Sequence, residues 1–269
     1  MAFATFGDPA KDSVFKSADQ ALGGALAEVA VSESFEGKPG QALVLYTQKK
    51  IGAKRIVVIG AGPRGDFKNA GMRDVTAQIA QIANKTLSTS VAFILPALGA
   101  NREATLFQLG VEGLYLGTYK FGRYLTSEEA KRSHSLASFT FLRDAKGGAK
   151  TAVAQQKQFD KAVARGTVIA AATNHARDLI NEPPAIATPA ALAADAQAIA
   201  KKHKGVLTTT ILDEKKCKEL GMGMFLAVGQ GSDEKPAFIH MTYTPAKKAK
   251  KKVCFIGKGV TFDSGGYSL

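Results

Sequence analysis

Residues 55–95 carry three patterns in succession: RIVVI at 55–59, MRDVTAQIAQIA at 72–83 and VAFIL at 91–95. The first and third are short runs of aliphatic and β-branched residues, which are typical of buried strands. In the middle stretch Val75, Ile79 and Ile82 recur at helical spacing. The succession of strand, helix and strand predicts a βαβ unit and therefore an α/β fold.

The same alternation extends in both directions from this unit. Another strand is predicted at 42–46, a helix at about 102–119 and a strand at 139–142, which gives an N-terminal α/β domain with a mixed sheet. Asp144, Gly147 and Gly148, flanked by lysines, form the clearest break in composition. We therefore place a domain boundary near residue 150, with domains at 1–150 and 151–269.

The second domain begins with a helical linker. The apolar positions over 159–179 have helical spacing, and Pro183 and Pro184 follow. Thr188 before Pro189 predicts the start of a second helix that runs to about residue 202. Strands are expected at 207–212, 225–228, 238–243 and 253–256, so this part of the chain is the beginning of a second α/β sheet.

Composition restricts the class of protein. The chain has 269 residues, 45% of them hydrophobic and 22% charged, which is the balance of a globular protein. No apolar run reaches the 18 residues of a membrane span, and Asp8 and Lys11 lie where a signal peptide needs apolar residues. Cys217 and Cys254 are too few for a disulfide framework and are expected to be buried. We expect a cytoplasmic protein without membrane contact.

The chain carries a formal net charge of +13, and more than half of the excess falls after residue 200. Five lysines, Lys247, Lys248, Lys250, Lys251 and Lys252, form what we call the lysine-rich loop. A solvated turn between two strands explains this cluster, because like charges at a turn stay in water. A phosphate-binding patch is the alternative, without the interleaved aromatic residues that would support it.

Two familiar motifs are present but lack their usual context. Gly60, Gly62 and Gly65 form G-x-G-x-x-G after a strand, yet Pro63 and Arg64 delay the helix that would face a pyrophosphate. We interpret them as an ordinary turn. The DSGG stretch at 263–266 is similar to the nucleophile segment of chymotrypsin-like peptidases, but those enzymes are antiparallel β-barrels. The helical zinc motif His-Glu-x-x-His is absent.

The most informative segment is VCFIGKGVTFDSGGYSL at 253–269. The apolar strand predicted at 253–256 runs into Gly257, Lys258 and Gly259, which places the lysine at the sheet edge where α/β proteins bind ligands. Burial and a nearby dication favour the neutral amine over the ammonium ion, and a neutral amine is a metal ligand. Asp263 offers two oxygens that can bridge two metals about 3.5–4 Å apart. A loop lysine and a turn aspartate without a metal remain the alternative.

Three stretches resemble the leucyl (cytosol) aminopeptidase family. GKGVTFDSGG at 257–266 is similar to its metal-binding signature, and ARDLINEPP at 176–184 resembles the opening of its catalytic domain. GMGMFLAVGQGS at 221–232 resembles the glycine-rich stretch before the metal strand. The three motifs occur in the order of the family.

This resemblance implies a two-metal exopeptidase that removes N-terminal amino acids such as leucine from peptides. By the motif match, Lys258 would ligate one metal and Asp263 would bind both. The resemblance implies two divalent ions per subunit, Mn²⁺ or Zn²⁺ among them, a homo-hexamer and a location in the cytoplasm. The residues at 151–269 would then be the first part of a metallo-aminopeptidase catalytic domain.

The sequence departs from the family pattern at its end. The family's catalytic lysine follows the aspartate by seven positions, which would be the first residue beyond Leu269, and the arginine and other carboxylate ligands lie further on. We therefore expect a truncated chain, inactive alone, with no catalytic residue of its own. The alternative is a non-enzymatic binding module, possibly a DNA-binding one, since some bacterial members of the family bind DNA. The codons that follow Leu269 would decide between the two.

Overall fold

The computed structural model describes residues 1–127, 136–143, 149–247 and 249–262. By its internal contacts the chain divides into two compact units, Met1–Ala176 and Arg177–Leu269. We call these the first unit and the second unit. No helix in the described ranges is long and apolar enough to cross a membrane.

The first unit is built on a five-stranded mixed sheet. The strands are β1 Ala2–Thr5, β2 Ala42–Tyr46, β3 Arg55–Gly60, β4 Ser90–Ile94 and β5 Ser138–Leu142. Their order is β2-β3-β1-β4-β5, with β2 antiparallel to β3 and every other pairing parallel. The predicted mixed sheet and the βαβ unit formed by β3, the following helix and β4 are thus confirmed.

Helices cover both faces of this sheet. One face packs on α1 Ser13–Leu22 and α2 Ala25–Ser32, and the other on α3 Gly71–Lys85 and α4 Glu103–Gly117. Neighbouring strand residues alternate between the two cores: Phe3 lies in the core beside α1, whereas Ala2 and Ala4 lie in the core beside α3. The first unit is therefore a three-layer α/β/α structure.

The ends of α1 show how the sequence fixes this arrangement. Asp12 caps the helix, since its carboxylate accepts hydrogen bonds from the backbone N–H groups of Val14 and Phe15 at 2.9 and 3.1 Å. Gly23 ends the helix with a left-handed φ of 68°, a conformation that glycine adopts without steric cost. Between these caps Phe15 and Leu22 are buried against the sheet.

A long helix, α5 Ala149–Asn181, follows the sheet and confirms the predicted helix over 159–179. Phe159 stacks on Phe107 of α4 with ring centroids 4.6 Å apart, and Gly166 brings α5 close to the α4 backbone at Gln108. The predicted domain boundary near residue 150 lies at the start of α5, whereas the division by contacts lies five residues before its end. The position of the boundary stays a prediction.

The second unit contains a two-stranded antiparallel sheet of β6 Leu207–Leu212 and β7 Phe238–Tyr243. Three helices accompany it: α6 Pro189–Lys202, α7 Glu214–Glu219 and α8 Gly223–Val228. As predicted, Thr188 caps α6, and its hydroxyl accepts a hydrogen bond from the backbone N–H of Ala191 at 3.2 Å.

Two of the strands predicted for the second unit are wrong. Residues 225–228 belong to α8, because a four-residue apolar run fits a helical turn as well as a strand. Residues 253–256 have no regular structure, since no described strand pairs with them. Their apolar side chains are exposed, with Phe255 at 93% and Ile256 at 94%.

Candidate metal centre

Lys258, the first predicted metal ligand, lies in the irregular segment 249–262 and is exposed to solvent. A Cβ added at its neighbour Gly259 would lie 3.9 Å from the Leu192 side chain, so this part of the segment passes near α6 of the second unit. Asp263, the second predicted ligand, lies outside the described residues, as does Ser264 of the serine-peptidase motif. The structure therefore places the first of the two predicted ligands, and the pairing of Lys258 with Asp263 stays a prediction.

The surroundings of Lys258 correct one premise of the prediction. We expected this lysine at the end of a buried strand, where desolvation favours the neutral amine. The preceding residues are exposed coil, so in the described part of the second unit Lys258 does not follow a buried strand. No carboxylate within the described ranges forms an ion pair with Lys258. Its amine is thus accessible to a ligand.

The described residues contain no group of three or more histidine, cysteine, aspartate or glutamate side chains that could hold a metal ion. His175, His203 and His240 lie in α5, after α6 and in β7 respectively. The described residues on their own therefore do not fit a metal pair.

The two stretches upstream of the metal-binding signature adopt defined local structures. ARDLINEPP ends α5 and leads into a turn in which the backbone N–H groups of Ile186 and Ala187 donate to the Pro183 carbonyl at 2.8 and 2.9 Å. In the glycine-rich stretch, Phe225 of α8 packs edge-on against Phe238 of β7, with ring centroids 5.8 Å apart. The glycine-rich stretch thus packs on β7 of the second unit.

The G-x-G-x-x-G motif at residues 60–65 has a structural role. An added Cβ at Gly60 would overlap the backbone at Gly37 and Lys38, so this glycine permits two chain segments to pass closely. The next helix, α3, begins only at Gly71, well after Gly65. The glycine run therefore lacks the helix N-terminus that a pyrophosphate site requires.

The two cysteines have different environments. Cys217 in α7 is fully buried, as predicted, and burial together with the nearby Asp213 carboxylate raises the pKa of its thiol. Cys254 is exposed, because the strand predicted at 253–256 is absent. The prediction that both cysteines are buried is therefore wrong for Cys254.

Comparison with known proteins gives two matches to one family. The sequence model described as "Cytosol aminopeptidase family, N-terminal domain" matches residues 3–128, and the one described as "Cytosol aminopeptidase family, catalytic domain" matches residues 174–269. The first match falls on the three-layer first unit. The second contains all of the second unit and begins three residues before it.

Individual relatives agree with these matches. Leucine aminopeptidase 2, chloroplastic, of Oryza sativa subsp. japonica is 33% identical over 267 residues, covering 96% of this chain and 42% of the relative. The probable cytosol aminopeptidase of Alkaliphilus metalliredigens is 32% identical over 259 residues, covering 95% of this chain and 50% of the relative. The chain thus spans half or less of the length of these curated relatives.

A solved structure shows the same likeness in three dimensions. A mutant of tomato leucine aminopeptidase superposes with a TM-score of 0.82 at 26% identity, over 98% of this chain and 52% of that one. The two family matches together account for most of the residues, in the order that the sequence motifs predict. The chain belongs to the cytosol aminopeptidase family.

Proposed function

We propose that the whole protein is a two-metal aminopeptidase that releases N-terminal amino acids, leucine among them, from peptides. The observation that carries this proposal is the position of GKGVTFDSGG at 257–266 inside the match to the family's catalytic domain. The names of the relatives support it, since they are leucine and cytosol aminopeptidases. The three-layer first unit would then be the N-terminal domain of the enzyme.

Lys258 is proposed to ligate one divalent metal and Asp263 to bind both. The support is the donor chemistry: an accessible amine without a carboxylate partner in the described residues, and a carboxylate with two oxygens five positions later. When bound, a pair of Mn²⁺ or Zn²⁺ ions supplies Lewis acidity and a nucleophilic water at neutral pH.

The 269-residue chain by itself is proposed to be inactive. Two metal ions need more ligands than Lys258 and Asp263 provide, and the described residues contain no further ligand cluster. The purified chain, supplied with Mn²⁺ or Zn²⁺, should therefore hydrolyse leucine p-nitroanilide no faster than a control without protein. Turnover above that control would show that a working site forms within these residues.

The proposed activity is tested on the full-length protein. We expect hydrolysis of leucine p-nitroanilide and of leucine-initiated peptides, but not of the same peptides with an acetylated N-terminus, because an exopeptidase of this type needs the free α-amine. A chelator should abolish the activity and added Mn²⁺ or Zn²⁺ should restore it. Equal cleavage of free and acetylated peptides would contradict the proposal.

The assembly and location follow the same reasoning. A homo-hexamer is proposed for the whole enzyme, and sedimentation or light scattering of the full-length protein tests it. A cytoplasmic location is proposed from the relatives described as cytosol aminopeptidases, although the Oryza relative is described as chloroplastic. Fractionation of cells decides this point.

The lysine-rich loop favours a second candidate function, binding of DNA. Its described residues, Lys247 and Lys250–Lys252, are exposed in coil and are therefore available to phosphates. Because this contact would be electrostatic, the affinity for duplex DNA should fall steeply between 50 and 200 mM salt. Replacing the loop lysines by glutamine should remove it. Unchanged affinity after that replacement would exclude this loop as the DNA contact.

A further inference from the structure

An open groove lies at one edge of the sheet in the first unit, beside β2 and α3. Its volume is about 770 Å³, and its lining includes Val44 and Tyr46 of β2 and Ile82 and Lys85 of α3. Val44 is 37% exposed and Tyr46 62% exposed. Most of the lining is apolar, so the groove leaves hydrophobic surface in contact with water.

The edge strand itself has free hydrogen-bonding groups in the described structure. Gly60 N–H donates to the Gln41 carbonyl and Thr47 N–H donates to the Lys54 carbonyl. These two bonds establish which residues of β2 direct their backbone N–H and C=O groups toward β3. By the alternation of an antiparallel ladder, Leu43 and Leu45 bond to β3, while the N–H and C=O groups of residues 42, 44 and 46 point away from it. The residues with outward backbone groups are the same ones whose side chains line the groove.

This edge has none of the features that usually prevent strand addition. Its sequence, ALVLY, contains no proline and no charged residue, and the register with β3 runs without a bulge. Natural sheets usually protect their edges with such features, because an unprotected edge pairs with another chain. The edge of β2 is thus suited to receive a further strand.

Two cations line the groove: Arg55 lies beside Tyr46, and Lys85 precedes by three residues Ser88, to which Arg55 donates a hydrogen bond. The guanidinium of Arg55 lies 4.6 Å from the Tyr46 ring centroid and donates to the hydroxyls of Tyr46 and Ser88 at 3.0 and 3.2 Å. Lys85 is exposed in the last turn of α3. Within the described ranges neither cation has a carboxylate partner, and no acidic residue lines the groove. This part of the groove is complementary to an anion.

We propose that this groove docks an extended acidic peptide segment of a partner protein by strand addition to β2. The partner's backbone would bond to residues 42, 44 and 46. Its groove-facing side chains would be apolar beside Val44 and a carboxylate beside Arg55 and Lys85. Backbone pairing supplies affinity in this mode of recognition, and the alternating side chains supply selectivity.

Charge argues against a second copy of this chain as the occupant. The chain carries a net charge of +13, and ALVLY has no carboxylate to place beside Arg55 and Lys85. Two β2 edges paired with each other would leave both cations of each copy without a partner. An acidic segment satisfies the groove, whereas the same strand from another copy does not.

The test uses the 269-residue chain and fluorescein-labelled hexapeptides. Glu-Thr-Val-Thr-Val-Thr and its reverse place a carboxylate near Tyr46 for antiparallel and parallel addition, respectively, and peptides with Gln in place of Glu are the neutral controls. The protein variants are Lys85→Glu, its matched control Lys16→Glu on the opposite helix layer, and Val44→Pro with its control Val44→Thr. Lys16 is exposed on α1, far from the groove lining.

We expect saturable binding of a Glu peptide by fluorescence anisotropy. Its Gln counterpart should bind roughly two- to fivefold more weakly, which is the contribution of one exposed ion pair. Lys85→Glu should lower the affinity for the Glu peptide about tenfold and leave the affinity for the Gln peptide unchanged. Lys16→Glu should change neither affinity. Val44→Pro removes an outward N–H and should abolish binding of both, whereas Val44→Thr should not. Peptide should slow amide exchange at residues 42, 44 and 46, and not at 43 and 45.

Three results would overturn the proposal. The first is the absence of saturable binding of either Glu peptide to the wild-type chain. The second is equal loss of affinity in Lys85→Glu and Lys16→Glu, which would indicate a long-range charge effect. The third is concentration-dependent dimerisation that Val44→Pro removes, which would make a second copy the occupant. Circular dichroism and the melting temperature of each variant establish that it is folded before binding is measured.

Discussion

Replacement of Gly113 by alanine should destabilise the first unit, although alanine is the better helix former. Gly113 lies in α4 where this helix crosses α3. An added Cβ would overlap the Thr76 hydroxyl and the Arg73 carbonyl, and the second of these is backbone that a rotamer change cannot move. The two helices would have to separate, which would also strain the 2.8 Å hydrogen bond from the Thr76 hydroxyl to the Gly110 carbonyl.

The size of this effect follows from three contributions. Alanine in a helix is favoured over glycine by about 1 kcal/mol. Overpacking against rigid backbone costs about 3 kcal/mol, and the lost hydrogen bond about 1 kcal/mol. The net loss is about 3 kcal/mol. For a unit of this size each kcal/mol corresponds to roughly 2–4 °C, so the melting temperature should fall by roughly 6–12 °C.

Thermal unfolding followed by circular dichroism measures this shift. Gly65→Ala is the matched control in the same unit, because nothing lies within 4 Å of its added Cβ and its φ is not positive. Its melting temperature should change by no more than about 1–2 °C, as for an ordinary surface substitution. A Gly113→Ala protein that melts at or above the wild-type temperature would refute the close approach of α3 and α4.

Three further predictions concern charge, chemistry and domain boundaries. Arg73→Met should destabilise the first unit more than Glu112→Gln, by about 1–2 kcal/mol in urea unfolding. The reason is that Glu112 is buried and would lose its 2.6 Å bond to Arg73, whereas Arg73 itself can reach water. Equal losses of unfolding free energy in the two variants would contradict this. Iodoacetamide should label exposed Cys254 well before buried Cys217, because the raised pKa of the Cys217 thiol disfavours the thiolate. Equal labelling rates of the two cysteines by mass spectrometry would contradict the assigned burial. Trypsin should cut the lysine-rich loop early and leave a resistant core that extends to about residue 176, because α5 packs on α4. A resistant core that ends near residue 150 would instead favour the domain boundary predicted from composition.

The parts of the fold that sequence predicted correctly are those with a clear apolar pattern of their own. The βαβ unit over 55–95 is one, although β1 lies between its two strands in the sheet. The prediction missed β1, α1 and α2, because a four-residue strand such as Ala2–Thr5 has too short a pattern to separate from a buried turn. It failed at 253–256, because a strand needs neighbours and composition does not show whether they are present.

The candidate metal centre came from the family motif and not from periodicity. Spacing alone allowed Lys258 and Asp263 to be a loop lysine and a turn aspartate, and exposure of Lys258 does not separate these interpretations. The groove beside β2 was missed for another reason. Arg55 begins a strand and Lys85 ends a helix thirty residues later, so only the fold brings the two cations to one place.

Lys258 and Asp263 are proposed to bind the metal ions of an aminopeptidase. The direct measurement is the metal content of the full-length protein by inductively coupled plasma mass spectrometry, paired with its rate on leucine p-nitroanilide. Lys258→Ala and Asp263→Ala should each lose bound metal and at least about 100-fold of the activity, with an unchanged melting temperature. Lys252→Ala, an exposed lysine of the same segment, should keep both. Wild-type metal content and activity in either Lys258→Ala or Asp263→Ala would contradict the claim.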